Sequence, residues 1–549
     1  MVAPERTKHA IKNTVSGFAF RILGLLMPFA IRTIMIQKLG VEYLGLNTLF
    51  SSILQVLSLT ELGFASAIVF AMYKPIAEGD TAKICALLRF LRNVYHIIGA
   101  IIVVVGAAIS PLLPYLINGT YPADINLYLL YFIYLFNTAI SYFLFAYKGL
   151  LLTAHQRSDI ENIINMLANL VMYGIQITVL LLFKNYYIYI IFLPICTIAI
   201  NLIRALIVNK KYPEYRCSGI LEKPERKKVF NNIFALLGHR VSFVVVASIN
   251  NIIISAFLGL EIMAIYGNYY YIVNALIGII TVFHSSITAG IGNSIVVDDI
   301  KKNHEDFKKL TFLNVWVVGW MAICLICLFQ HFIRIWVGDA LSLPLHTVGL
   351  LVAYFYLWKF KDILATYKDA AGMWRADLWK PYVVVLVSLG LSLLLTYFIG
   401  INGTLISIIA GAFVISMPWE THVFFKGYFK QSEGAYYLRM LIYTLVLIAI
   451  GAATYFICYL LPNTGYGWFA LKAVICLIVP NLLIVLCSFM TPEFKGVMRK
   501  VKQMLFRKKE KNGFAEINGG EVSAETDDKT DDSLSANDNH YEGEKIDNE

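Results

Sequence analysis

Six basic side chains lie inside long apolar segments: Arg21, Arg32, Arg204, Arg240, Arg334 and Lys472. An arginine facing lipid at the centre of a spanning helix costs at least about 2.5–3.5 kcal/mol. Arg21 stands seven residues inside the first such segment, about 10 Å along a helix rising 1.5 Å per residue. Arg32 follows 11 residues later. Eleven helical steps of about 100° return to nearly the same face, about 16 Å further along the axis. Arg240 enters a later segment at a depth similar to that of Arg21. A guanidinium offers a planar fork of donors that matches phosphate. A cavity lined by Arg21, Arg32 and Arg240 therefore suits an anionic solute. The competing reading is that each arginine reaches an interface and rests among headgroups. For Arg204, Arg334 and Lys472, near helix ends, that structural reading is the expectation.

Acids inside the apolar segments are few. Glu61 is the deepest; it either forms an ion pair with Arg21 or carries a coupling proton. Asp362, Asp369 and Glu420 fall towards segment ends among Lys359, Lys361 and Lys368, where solvated ion pairs are expected. His96, His239, His284, His331 and His422 lack metal-ligand spacing, and hydrogen-bonded core roles are expected of them. Cys324-x-x-Cys327 has no second pair nearby in the sequence. The eight cysteines are expected as small core residues, with neither a metal site nor a cofactor. No Walker A, HExxH or GxSxG pattern occurs, so the chain is read as a non-enzyme that does not hydrolyse ATP itself.

The elements that must position these residues follow from composition. The 549 residues are 58% hydrophobic and only 15% charged, against about a quarter charged for a soluble domain. An ordinary cytosolic enzyme is excluded. A spanning helix needs about 20 mainly apolar residues. Fourteen stretches qualify: 14–37, 44–73, 87–117, 125–153, 160–183, 187–208, 230–257, 262–297, 310–337, 344–371, 378–400, 402–426, 437–460 and 466–490. The sequence thus predicts an all-α integral membrane protein. No cleavable signal peptide is expected, because the first segment is long and holds Arg21 and Arg32.

The net charge of +10 would suit nucleic acid, but its distribution does not. Residues 510–549 hold 13 acids and three bases, and the rest of the chain carries +20. The acidic tail has too little apolar surface to fold and is expected to be disordered. Of the 46 bases, 38 fall in one alternating set of linkers and flanks, against Lys38 and Lys184 in the other. By the positive-inside rule both termini are cytoplasmic. Outer loops such as 118–124 and 461–465 leave no room for a catalytic domain.

The segment after the basic linker 209–229 repeats the N-terminus at an offset of 219. Asn13 pairs with Asn232, Arg21 with Arg240, and Leu39-Gly40-x-Glu42 with Leu258-Gly259-x-Glu261. Both copies begin on the cytoplasmic side, so they are parallel repeats with substrate expected between them. The organisation read from this is an N-terminal lobe over 1–208, the linker 209–229 and a C-terminal lobe over 230–426. Two further helices follow over 427–490, and a cytoplasmic tail over 491–549.

The stretches Leu39-Gly-x-Glu-Tyr-Leu-Gly-Leu-Asn47, Leu59-Thr-Glu-Leu-Gly-Phe-Ala-Ser-Ala67, Tyr73-Lys-Pro75 and Ala154-His-Gln156 resemble polysaccharide flippases of the Wzx type. That family belongs to the multidrug/oligosaccharidyl-lipid/polysaccharide exporter superfamily. The resemblance spans about residues 8–490. It implies two pseudo-symmetric six-helix lobes around a central cavity, plus two C-terminal helices, in a bacterial cytoplasmic membrane. It also implies the cargo, a polyprenyl-pyrophosphate-linked oligosaccharide moved to the outer leaflet by alternating access. Implied partners are membrane lipids, glycosyltransferases and a polysaccharide polymerase. Arg21, Arg32 and Arg240 would then hold the pyrophosphate or acidic sugars. A cation-coupled drug exporter, a lipid II flippase and a membrane polymerase or glycosyltransferase are the competing readings.

Overall fold

The computed structural model describes residues 20, 23–61, 64–500 and 502–503, with side chains except at 60, 61, 66, 228–241, 243, 289, 374 and 375. Every regular element among them is helical. Helix α1 (23–38) is followed by α2 (Val41–Leu57), α3 (Phe64–Glu78), α4 (Thr81–Ile109) and α5 (Leu127–Phe143). Next come α6 (Gly149–Ala154), α7 (Ser158–Leu182), α8 (Tyr186–Lys211) and the long α9 (Lys223–Val297). The chain continues through α10 (Ile300–Val337), α11 (Leu345–Lys359), α12 (Asp362–Ala370), α13 (Lys380–Ile399) and α14 (Ile401–Ala410). It ends with α15 (Met417–Phe424), α16 (Gly434–Tyr459) and α17 (Tyr466–Ser488). The chain divides into two units, one through Phe494 and one from Lys495 onward. In the second, residues 495–500 are helical.

Polar side chains mark where helices begin. Asp80, Asn126, Asn185 and Asp299 each accept a hydrogen bond from the backbone N–H three residues on, at 2.9–3.1 Å. These caps satisfy amides that the first turn leaves without partners. Among the described residues nine helices are long and apolar enough to cross a membrane, or ten if the pair Leu127–Phe143 and Ala146–Ala154, bent by 51°, counts as one. The chain is a multi-pass membrane protein.

The stretches read as fourteen spans are divided differently along the backbone. The stretch 44–73 is interrupted by a 3₁₀ turn at Ser58–Glu61. The stretch 344–371 breaks at Phe360 and Lys361, between α11 and α12. The stretch 402–426 carries a π-helical segment, Gly411–Ser416, between α14 and α15. Conversely, 230–257 and 262–297 form the two arms of α9, which breaks at Gly259.

That break has a counterpart at the offset of 219. Gly40, between α1 and α2, has φ +127°, and Gly259, between the arms of α9, has φ +86°. Glycine adopts such a φ without the Cβ clash that other residues meet. The equivalent Leu-Gly-x-Glu stretches therefore make equivalent corners. α2 packs along α9, and Gly45 lies against the backbone of Leu260. A Cβ on Gly45 would stand 2.4 Å from the Leu260 carbonyl oxygen. Asn118 ties the loop before α5 to the same corner: its N–H donates to Ser255 O at 3.0 Å and its Nδ2 to Phe257 O at 2.6 Å.

Candidate functional site

Arg32 is the one expected cavity arginine whose side chain is described. Helix α1 presents it to the second arm of α9. Its Nη1 donates to Asn268 Oδ1 at 3.1 Å, and the guanidinium lies 5.1 Å from the Tyr271 ring centroid. Tyr271 in turn donates its hydroxyl to Leu25 O at 2.5 Å. Gly267 lies beside the fork, where a Cβ would stand in ordinary van der Waals contact with Arg32 Nη1 at 3.6 Å. On the same helix Thr33 accepts from Trp336 Nε1 at 2.7 Å, and Phe29 stacks on Trp336 at 4.2 Å. Asn268 is buried, whereas Arg32 is only half-buried.

Four residues related by the offset of 219 make reciprocal contacts. Arg32 and Asn251 are 219 apart, as are Ser52 and Tyr271. Arg32 meets Tyr271, and Asn251 Nδ2 donates to Ser52 Oγ at 3.0 Å. The second copy thus repeats the contact with a short neutral amide in place of the guanidinium. Next to it, Ser248 donates to Gln55 Oε1 at 3.0 Å.

The other expected residues stand as follows. Arg21 lies outside the described residues. Arg240 belongs to α9 and Glu61 ends the 3₁₀ turn, but their side chains lie outside those described. Arg204 pairs with Glu161 at 3.1 Å and donates to Asn201 at 2.6 Å, a structural arrangement. Arg334 pairs with Asp339 at 2.7 Å near the end of α10. Lys472 is packed inside the protein, 1% exposed, and donates to Asn463 in the loop before α17. His155 of Ala154-His-Gln156 stacks on Tyr212 at 4.4 Å, and burial lowers its pKa below the usual histidine value.

Of the acids expected in solvated pairs, Asp369 is exposed and pairs with Lys368 at 3.4 Å, Asp362 is half-buried, and Glu420 is buried in a charged cluster. Glu420 on α15 accepts from Lys361 Nζ at 2.6 Å and also from Lys380. Lys361 donates to Ser416 Oγ at 2.7 Å. Asp377, wholly buried, accepts from Lys368 at 2.5 Å and Lys380 at 2.8 Å. Asp362 pairs with Lys359 at 2.7 Å and with His284 Nδ1 at 3.2 Å. The helix break at Phe360 and Lys361 and the π-helical segment ending at Ser416 supply this geometry, and neither is visible in residue spacing. π-helical turns often occur at functional positions.

Lys361, Asp362, Lys380, Ser416 and Glu420 line a cavity of about 220 Å³. Val246, Trp358 and Ile408 line it too, and they also border a smaller void beside Asn250 and Asn251. The two voids thus meet across apolar side chains. A larger cavity of about 560 Å³ lies between α7 and α8 and is lined by Ile, Leu, Val, Ala, Met and Phe side chains and Cys196. It can take hydrocarbon, but it offers no partner to a charged headgroup.

One further grouping had no signal in the spacing. Cys327, Cys458 and Cys476 converge from α10, α16 and α17, with their sulfurs within 4.8 Å of one another.

Neither a protein-family model nor a curated protein sequence matches the chain. Solved structures do match its fold. The lipid II flippase MurJ, in an inward closed conformation, aligns with a TM-score of 0.63 at 16% identity, covering 87% of this chain and 98% of that one. An inward-facing multidrug resistance MATE family transporter of the MOP superfamily aligns with a TM-score of 0.56 at 14% identity, over 72% of this chain and 92% of that one. A MOP superfamily transporter from Pyrococcus furiosus aligns at 0.51 and 14% identity, over 78% and 97%. At these identities the likeness is one of fold.

Proposed function

We propose that this chain is a flippase that carries a polyprenyl-pyrophosphate-linked oligosaccharide from the cytoplasmic to the outer leaflet of a bacterial cytoplasmic membrane. The observation that carries the reading is Arg32, held between the two repeat copies by Asn268 and Tyr271. A guanidinium at that place can grip a pyrophosphate while the lipid tail stays in hydrocarbon. The ionic cavity is charge-balanced, with Lys361 and Lys380 against Asp362 and Glu420 in its lining, so the anion preference rests on Arg32. Arg21 and Arg240 are proposed to act with Arg32, and Glu61 to pair with Arg21 or carry a coupling proton.

The proposal takes the helices as fourteen, in two six-helix lobes plus a C-terminal pair, with both termini cytoplasmic. Rocking of the lobes would carry the headgroup across. Membrane lipids surround the lobes, and glycosyltransferases and a polymerase would supply and consume the cargo.

The fold shared with MurJ supports a second reading, a lipid II flippase. Proteoliposomes holding the purified protein and a defined lipid-linked oligosaccharide test the choice. Faster appearance of headgroup on the opposite leaflet than in protein-free vesicles is the expected result. Movement of lipid II alone would favour the second reading. Conversion of the cargo into polymer would make the chain an enzyme and overturn both.

A further inference from the structure

Cys327, Cys458 and Cys476 are 8%, 2% and 0% exposed, at the junction of α10 with α16 and α17. Cys458 Sγ is 3.9 Å from Cys476 Sγ. A disulfide would need about 2.05 Å, so these are separate sulfurs in contact. The three sulfurs lie within 4.8 Å of one another, close enough to converge on one ion. A zinc–sulfur bond of about 2.3 Å sets sulfurs about 3.8 Å apart in a tetrahedron and about 4.0 Å apart in a trigonal plane.

The helices fix these thiols in place. Pro480 on α17 lacks the N–H that would bond the carbonyl of Cys476, four residues earlier. That carbonyl instead accepts from Trp320 Nε1 of α10 at 2.9 Å. Cys324 Sγ lies 3.7 Å from the same oxygen, so a fourth thiol borders the group. Leu447 of α16 packs its side-chain methyls against Gly319 of α10, where an added Cβ would stand 2.4 Å from its Cδ1. Trp316 Nε1 donates to Asn481 Oδ1 at 2.8 Å and joins α10 to α17 again.

Charge selects among ions. Three thiolates carry −3. Lys472 stands one turn before Cys476 on α17 and is buried. With its +1, a divalent ion brings the group to neutrality, while a monovalent ion leaves −1. An uncompensated buried charge is strongly disfavoured. Soft thiolate ligands suit zinc and copper(I), and not magnesium or calcium.

We propose that Cys327, Cys458 and Cys476 bind a thiophilic d¹⁰ cation, with Zn²⁺ the charge-matched ion. Bound there, the ion clips α16 and α17 to α10. It needs no part in moving cargo.

The test uses the full chain purified in detergent without chelator. Elemental analysis is expected to find about one zinc per chain, and the Cys327→Ser/Cys458→Ser/Cys476→Ser variant is expected to lose it. Cobalt(II) added to metal-stripped wild-type protein should give intense sulfur-to-metal charge-transfer absorption. This arm needs no variant and remains informative if the triple variant misfolds. A strong chelator should lower the Tm of wild type. Copper in place of zinc on the same thiols would support the thiol site and overturn the charge-matched assignment. Absence of both metal uptake and the cobalt bands would leave three packed core cysteines and overturn the proposal. So would a Cys458–Cys476 disulfide in the isolated protein.

Discussion

Arg32 rests its guanidinium over the ring of Tyr271, and the residues 219 positions from each, Asn251 and Ser52, are themselves hydrogen-bonded. Two equivalent contacts thus join the repeat copies, one cationic and one neutral. An anion entering between them meets one guanidinium there rather than a symmetric pair. Under the proposed function the asymmetry would put phosphate recognition on α1, while the amide–hydroxyl contact joins α2 to α9.

Removing that fork is expected to slow transport. A hydrogen bond to a charged group contributes about 1.5–3 kcal/mol, so Arg32→Ala should cut the initial flipping rate roughly 10- to 100-fold. Arg32→Lys keeps the charge but loses the planar pair of donors and should recover only part of the rate. Headgroup exposure in proteoliposomes, normalised to inserted protein, measures this. Unchanged rates in both variants would remove Arg32 from the site.

The ionic cluster makes a different prediction, about stability. Glu420 answers Lys361 and Lys380 inside the protein. Removing one partner of a buried pair costs about 3–5 kcal/mol, because the remaining charge has no counterion. Glu420→Gln should therefore lower the Tm markedly in detergent. Asp377→Asn should do the same, since Asp377 answers Lys368 and Lys380. A near-native Tm for both, measured by tryptophan fluorescence on heating, would show that water already solvates the cluster.

Part of this was legible in the sequence. The offset of 219 comes from residue identities, and the positive φ at both Gly40 and Gly259 is its backbone consequence. Arg32 was legible because a charge in an apolar segment is costly wherever the segment packs. The burial of Glu420 and Lys361 was not legible. It depends on where α11 breaks and on the π-helical segment before Glu420, and both follow from tertiary contacts. The three cysteines escaped for a similar reason. Cys327 stands far along the chain from Cys458 and Cys476, and only helix packing brings them together.

The close approach of α2 and α9 should resist any side chain at Gly45. A Cβ there would lie 2.4 Å from the Leu260 carbonyl oxygen and 2.8 Å from the Leu260 Cβ. Backbone cannot rotate away as a flexible side chain can, so Gly45→Ala must part the helices at that point. If this contact closes the outer side of the cavity, thiol reagents added outside should label Arg32→Cys faster in the Gly45→Ala background. Equal labelling in both backgrounds would show that the contact does not close the outer side.

The two corner glycines separate backbone strain from steric clash. Alanine at either must adopt a positive φ, at a cost of about 1 kcal/mol or more. At Gly40 the nearest atom to an added Cβ is in the Tyr43 ring, 3.9 Å away, so strain is the whole effect. At Gly259 the added Cβ would also stand 2.8 Å from the carbonyl oxygen of Asn118. That oxygen is not free to withdraw, because the Asn118 amide groups are bonded to Ser255 and Phe257. Gly259→Ala should therefore lower the Tm more than Gly40→Ala. Asn118→Ala in the Gly259→Ala background, by releasing the Nδ2 bond to Phe257, should narrow the difference. Equal losses at the two glycines would mean that the loop at Asn118 yields easily and does not hold the corner of α9.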